Sequence, residues 1–170
     1  GGTTGGTVTV TGAMTITGST EEITNALVTE TSKVVATTSA NVTFVGDNPT
    51  GAQLADINDA AGGTITLANN AQTFTGTAAQ MKSAFAGGLA GTQTGAVKIS
   101  DTTGTIAATT LTDITAQTSG TVTAAAAGIT ISGTTEQVTA AIVTTETKAV
   151  MENGAVRLTD TGTVAATVLS

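Results

Sequence analysis

Histidine, cysteine, tryptophan and tyrosine are absent from this chain, and proline occurs once. Without imidazole or thiol there is no Ser-His-Asp or Cys-His arrangement, and no zinc, haem or iron–sulfur site built on those ligands. Charge is scarce as well: 10% of residues carry it, against about 25% in ordinary soluble domains. What charge there is leans acidic, with 12 Asp and Glu against 5 Lys and Arg, a net −7. A nucleic-acid binder needs a basic stripe and usually stacking aromatics, and aromatics here are 2%. The same balance disfavours an anionic membrane surface. No apolar run approaches the ~20 residues of a membrane-spanning helix, and no segment has the build of a signal peptide. The chain opens at Gly1-Gly2 without an initiator Met, which reads as a piece excised from something longer.

Threonine fills roughly a quarter of the 170 residues, and glycine (21) and alanine are abundant. A mean hydropathy of +0.28 with regularly spaced apolar residues argues against disorder. The strongest signal is internal repetition. Gly6-Thr-Val-Thr-Val10 recurs as Gly63-Thr-Ile-Thr-Leu67 and Gly120-Thr-Val-Thr-Ala124, with the glycines 57 residues apart each time. Met14-Thr-Ile-Thr-Gly18 matches Gln72-Thr-Phe-Thr-Gly76 and Ile129-Thr-Ile-Ser-Gly133. Val97-Lys-Ile-Ser-Asp101 matches Val156-Arg-Leu-Thr-Asp160. The organisation read from these blocks is a Gly-rich linker or the end of a preceding repeat at 1–5, repeats at 6–62 and 63–119, and a truncated repeat at 120–170, in one continuous solenoid.

Each repeat divides into two half-units of strand, turn, strand and short helix. Alternating β-branched residues mark the strands. Ser19-x-x-Glu22, Thr50-x-x-Gln53, Thr77-x-x-Gln80 and Thr134-x-x-Gln137 fit the capping box of a helix start. Behind three of these caps, Ile23/Leu27, Met81/Phe85 and Val138/Ile142 make one apolar stripe. Helices of two turns do not persist alone, and a ~28-residue half-unit cannot bury its own apolar face. The expected fold is therefore a repeat solenoid of β-β-α half-units with parallel strand ladders; β-sandwich repeats are the alternative. The expected inward ladders are Val8/Ile65/Val122, Val10/Leu67/Ala124 and Ile16/Phe74/Ile131, with Val42/Val97/Val156 and Phe44/Ile99/Leu158 in the matching half-units.

The phrases VRLTDTGTVAAT, ITISGTTEQVTAAI and ISDTTGTIAATTLTDITAQTSGTVTA resemble repeat units of very long secreted or cell-surface bacterial proteins. Cyanobacterial giant surface proteins, including those linked to swimming, are of this kind. The resemblance implies an extracellular or cell-surface fibre, coat or adhesin stalk. The calcium-binding nonapeptides that often accompany such arrays are absent from this sequence.

Candidate sites are few. Asp47, Asp101 and Asp160 recur at one turn and are candidate calcium ligands, since Ca²⁺ takes six to eight oxygens; turn chemistry with a neighbouring N–H is the competing reading. Thr7/Thr9, Thr64/Thr66 and Thr121/Thr123 suggest a threonine array that could order ice, interrupted at Lys98 and Arg157 in alternate half-units. Glu21-Glu22 suit the first turn of a helix, Asp56 and Asp113 a solvated helix face, and Asn41-Val-Thr43 is a formal glycosylation sequon. Segments Glu30–Ala40 and Gly87–Gly95 vary between repeats and are candidates for engaging a glycan or Ca²⁺. No acid, base and nucleophile constellation is present, so neither an enzyme nor a cofactor is expected. The expected partners are flanking repeats or identical copies stacked head to tail.

Overall fold

A computed structural model describes residues 8–10, 14–29, 34–36, 40–144 and 149–161. These form a mixed α/β fold with parallel sheets and five short helices. The chain runs β1 (Val8–Val10), β2 (Thr15–Gly18) and α1 (Thr20–Leu27), then β3 (Val34–Ala36), β4 (Ala40–Phe44) and α2 (Gly51–Ala61). Next come β5 (Gly62–Thr66), β6 (Phe74–Gly76), α3 (Ala78–Ala86), β7 (Val97–Ile99), β8 (Thr103–Ala107) and α4 (Ala108–Thr115). Last are β9 (Val122–Ala124), β10 (Gly128–Gly133), α5 (Thr135–Val138) with a π-helical turn Thr139–Val143, β11 (Ala149–Met151) and β12 (Ala155–Leu158).

Local chemistry accounts for the helices. All four capping boxes form, with Ser19, Thr50, Thr77 and Thr134 each accepting the backbone N–H of its Glu or Gln three residues on. That Glu or Gln side chain reaches back to the N-cap N–H, so two orphan donors are satisfied together. α2 ends because Gly62 turns left-handed at φ 63°, a conformation that glycine adopts without steric cost. Ile23, Met81, Phe85 and Val138 are buried. The helices pack in succession, α1 on α2, α2 on α3, α3 on α4 and α4 on α5 and its π turn.

Among the described residues every strand pairing is parallel. That rules out the sandwich alternative, whose sheets are antiparallel. The sheets are β1-β3, β2-β4-β5, β6-β7-β9-β11 and β8-β10-β12. Paired residues stand one pass of the chain apart, from 22 residues at Ala40–Gly62 to 27 at Val122–Ala149. We call each pass a layer.

The inward rungs differ from the ladders expected from the repeat. Ile16 pairs Val42, which pairs Ile65, which bridges to Leu89. Phe74 pairs Val97, then Val122, then Ala149. Ile106 pairs Ile131, which pairs Val156. Val8 pairs Val34, so Val8, Ile65 and Val122 share no ladder, and Ile16, Phe74 and Ile131 lie in three sheets. The reason is arithmetic. Two layers of 25, the spacing of Ile106 and Ile131, fall seven residues short of the 57-residue repeat. Segments 57 residues apart in the sequence therefore fall one strand position further on. Accordingly α1 follows β2, α3 follows β6 and α5 follows β10, each strand in a different sheet. Val42–Ile65 and Val97–Val122 are rungs that join residues the sequence reading set in separate ladders.

One core runs through the layers, between the inward faces of the sheets and the apolar faces of the helices. Phe74 and Phe85 meet edge to face within it, ring centroids 5.4 Å apart. Close stacking also needs a corner without side chains. A Cβ on Gly95 would strike the carbonyl oxygen of Gln72, and one on Gly120 would strike that of Gly95.

These positions yield a paired test of register. Phe74 is 1% exposed, whereas Thr75 beside it is exposed and paired with Lys98. Phe74→Asp removes a core aromatic and buries an unpaired carboxylate, an expected loss of at least ~4 kcal/mol. Thr75→Asp faces solvent next to a lysine and is expected to change stability by less than ~0.5 kcal/mol. Denaturant unfolding of both variants measures the difference, and equal losses would mean the faces are misassigned.

Candidate functional site

The three recurrent aspartates occupy equivalent places, and each belongs to the helix one layer back. Asp47 accepts the Thr20 N–H at 3.0 Å, and Asp101 accepts the Ala78 N–H at 2.7 Å. Asp160 accepts the Thr135 N–H at 2.6 Å and the Thr135 hydroxyl at 2.7 Å. Thr20, Ala78 and Thr135 are the first residues of α1, α3 and α5. Their N–H groups have no partner within the helix and stand at the positive end of its dipole, where a carboxylate is stabilised. The capping box satisfies two donors of each helix from within the layer, and the aspartate takes a third from the next layer. α2 has a box alone, and α4 starts at Ala107 without a side-chain cap.

This geometry gives the aspartates a use that neither sequence reading named. As calcium ligands they would have to gather several oxygens around one point, but they sit one per helix and are engaged by backbone donors. Among the described residues no three acidic side chains come close enough to share a metal ion. The N–H groups they accept lie 27, 23 and 25 residues earlier in the chain, so each aspartate joins two passes of it.

The local electrostatics follow from the same bonds. Asp160 is held below the ordinary carboxylate range, chiefly by the Thr135 hydroxyl and then by the Thr135 N–H. Glu22 is lowered by the Ser19 N–H and then by the Ser19 hydroxyl. Asp56 is exposed on α2, and Asp113 on α4 pairs with Lys82 at 2.9 Å on the surface.

Other side chains join layers that sequence reasoning did not pick out. Asn48 accepts the Ala68 N–H at 2.7 Å and the Asn69 N–H at 3.2 Å, and donates to the Asn69 carbonyl at 2.8 Å. Thr118 is buried, donates to the Gly95 carbonyl at 2.7 Å and accepts the Gly120 N–H at 3.0 Å. Gln93, 2% exposed, keeps its side chain in its own turn, donating to the Ala90 and Gly91 carbonyls at 3.3 Å, and meets Thr118 of the next layer through its backbone. The one signal for them in sequence is a polar residue at a position where stacked layers place a turn.

The remaining candidates are placed as follows. Segment Gly87–Gly95 is part of the stack: Leu89 bridges to Ile65, and the Thr94 N–H reaches the Asn70 carbonyl. Of the Glu30–Ala40 segment, residues 30–33 and 37–39 lie outside the described residues. Asn41 stands on β4, the middle strand of its sheet, with its side-chain oxygen accepting the Thr64 N–H at 2.9 Å, unlike the exposed loop a sequon needs. The continuous threonine array is not formed. Thr66 stacks with Thr43 and Thr17, Thr123 with Thr75, Lys98 and Val150, and Thr9 with Val35; Thr7 lies outside the described residues.

Shallow notches open between successive helices. One, polar and about 380 Å³, is lined by Thr20, Glu21, Thr24, Asn25, Asp47, Asn48 and Gln53. Another, about 250 Å³, lies between α3 and α4 beside Lys82, Phe85 and Asp113. Neither sets a nucleophile against a base, and the chemistry they offer is hydrogen bonding. Comparison with protein-family models, with characterised proteins and with solved structures found no match to this chain.

The caps lead to two expectations. Asp101→Ala leaves the Ala78 N–H without its acceptor, an expected loss of about 1 kcal/mol, whereas Asp113→Ala, in an exposed ion pair, costs less than ~0.5 kcal/mol. Chemical denaturation reads both. The carboxylates of Asp160 and Glu22 titrate lower in the folded chain than in the unfolded one. Their contribution is therefore complete above the ordinary carboxylate pKa of about 4 and disappears as pH falls through that value and below it. A melting temperature that drops on acidification below about pH 4, and drops less in Asp160→Asn, is the expected result.

Proposed function

We propose that this chain is a segment of a structural rod, a parallel β-solenoid with a short helix in each turn, built into an extracellular filament, surface coat or adhesin stalk. The observation that carries this reading is the pairing pattern: each sheet adds parallel strands one layer apart, and the sheets overlap in level, so the stack has no built-in stop. Load along the axis would be shared by backbone hydrogen bonds between layers and by the cross-layer caps. The composition suits a passive role, with threonine and alanine abundant and charges few. The resemblance in repeat style to giant bacterial surface proteins is the reason for reading the rod as extracellular. Among the described residues no helix is long and apolar enough to cross a membrane, and the net −7 charge is unfavourable for nucleic acid.

The ends of the stack define the partner. Among the described residues β1 and β2 pair on one side only, as do β11 and β12 at the other end. Open edges template further strands. The occupant that fits is another layer of the same plan, from flanking repeats or from a second copy set head to tail. Such contact is heterologous and does not close on itself, which is the symmetry of a fibre. Sedimentation of the chain over a wide concentration range tests this directly. Elongation with concentration, suppressed when a hydrophilic capping layer is fused to the end, is expected. A sharp monomer at every concentration would overturn the filament reading.

A further inference from the structure

We propose that Asn153–Gly154 is a self-modification site, where the Asn153 amide is converted to aspartate or isoaspartate with release of ammonia. It is the one Asn-Gly step in the sequence. It lies at the corner between β11 and β12, where the Asn153 side chain is exposed. Glycine at 154 leaves the main-chain nitrogen open to the side chain before it, with no Cβ in the way. That nitrogen is also unspent, since no described group accepts the Gly154 N–H. The other asparagines lack one or more of these features. Asn48 precedes Pro49, which has no N–H, and Asn41 is within a paired strand with Val42 after it.

The step balances with water alone. The Gly154 nitrogen, giving up its proton to solvent, bonds to Asn153 Cγ; the Cγ–Nδ2 bond breaks and ammonia leaves. Water then opens the succinimide ring. Opening at the side-chain carbonyl yields aspartate, and opening at the main-chain carbonyl yields isoaspartate. One water is consumed for each ammonia released, and no oxidant or cofactor enters.

One contact opposes the reaction, and the same contact gives it a consequence. Asn153 Nδ2 donates to the Ala125 carbonyl at 3.0 Å, joining this corner to the layer before it. Conversion replaces that donor with a carboxylate oxygen, so two acceptors face each other. Isoaspartate also inserts one carbon into the main chain between two strands whose registers are fixed separately, Ala149 on Val122 and Ala155 on Thr130. Both registers cannot then be kept. Both β11 and β12 are edge strands, and β12 is the one released because Ala155, Val156 and Arg157 are exposed whereas Ala149 of β11 is buried.

The test uses the full chain, folded, aged in warm and mildly alkaline buffer beside the same chain in urea. Arg157 is the one arginine, and trypsin releases the site as Ala149–Arg157. Mass spectrometry of that peptide and isoaspartyl methyltransferase labelling read the conversion. In the folded chain Asn153 is expected to convert no more than about tenfold more slowly than in urea, the factor that one hydrogen bond is worth. Aged chain is expected to be cut by trypsin at Arg157 faster than fresh chain, and Asn153→Gln to show neither change. Asn153 surviving intact in the folded chain while it converts in urea would overturn the site. Conversion without faster cleavage at Arg157 would overturn the release of β12.

Discussion

The molecule depends on the spacing of parallel strands. Backbone pairing holds neighbouring strands about 4.8 Å apart, and every other feature must fit that rise. A layer can carry no bulk at its tight corners, so the Gly95 and Gly120 column has no side chains. It can carry only short helices, and those must be thin where they meet; Ala55, Ala84, Ala108 and Ala141 are buried on their faces. Apolar residues must fall where the previous layer has apolar residues, as Phe74, Val97 and Val122 do. Few aromatics are needed because no side chain spans a wide core.

Stacking thin layers leaves many backbone donors at the ends of helices and at turns, and a low-charge chain has little with which to satisfy them. The solution is to borrow from the next layer. Asp47, Asp101 and Asp160 cap helices they do not precede, and Asn48 and Thr118 hold turns in adjacent layers. Each bond is worth about 1 kcal/mol, but its larger effect is on register. A layer slipped by one residue loses its cap as well as its inward rung, so polar and apolar terms select the same alignment.

The mismatch between repeat and layer gives the stack its stagger. Were the repeat two layers long, equivalent strands would lie above one another and each sheet would run the full height. With seven residues to spare, the three equivalent strands β2, β6 and β10 fall in successive sheets. The sheets therefore succeed one another along the chain, β2-β4-β5 followed by β6-β7-β9-β11 and then β8-β10-β12.

Composition, alternation and capping boxes determined the elements themselves: α3 at Ala78–Ala86 and the burial of Ile23, Met81 and Phe85 follow from sequence alone. Such features depend on residues within one turn of each other, which a sequence displays directly. The 57-residue repeat was equally legible, since it needs only identity at a distance. What only the tertiary structure decided was which strand meets which, because that depends on the length of chain used in one full layer, helix and corners included. Ile65 therefore packs on Val42 and Leu89 rather than on Val8 and Val122. For the same reason the engagement of Asp101 with the Ala78 N–H could not be read from sequence. Its partner is separated by 23 residues in the chain and by one strand spacing in space, and only the folded path makes those two distances meet.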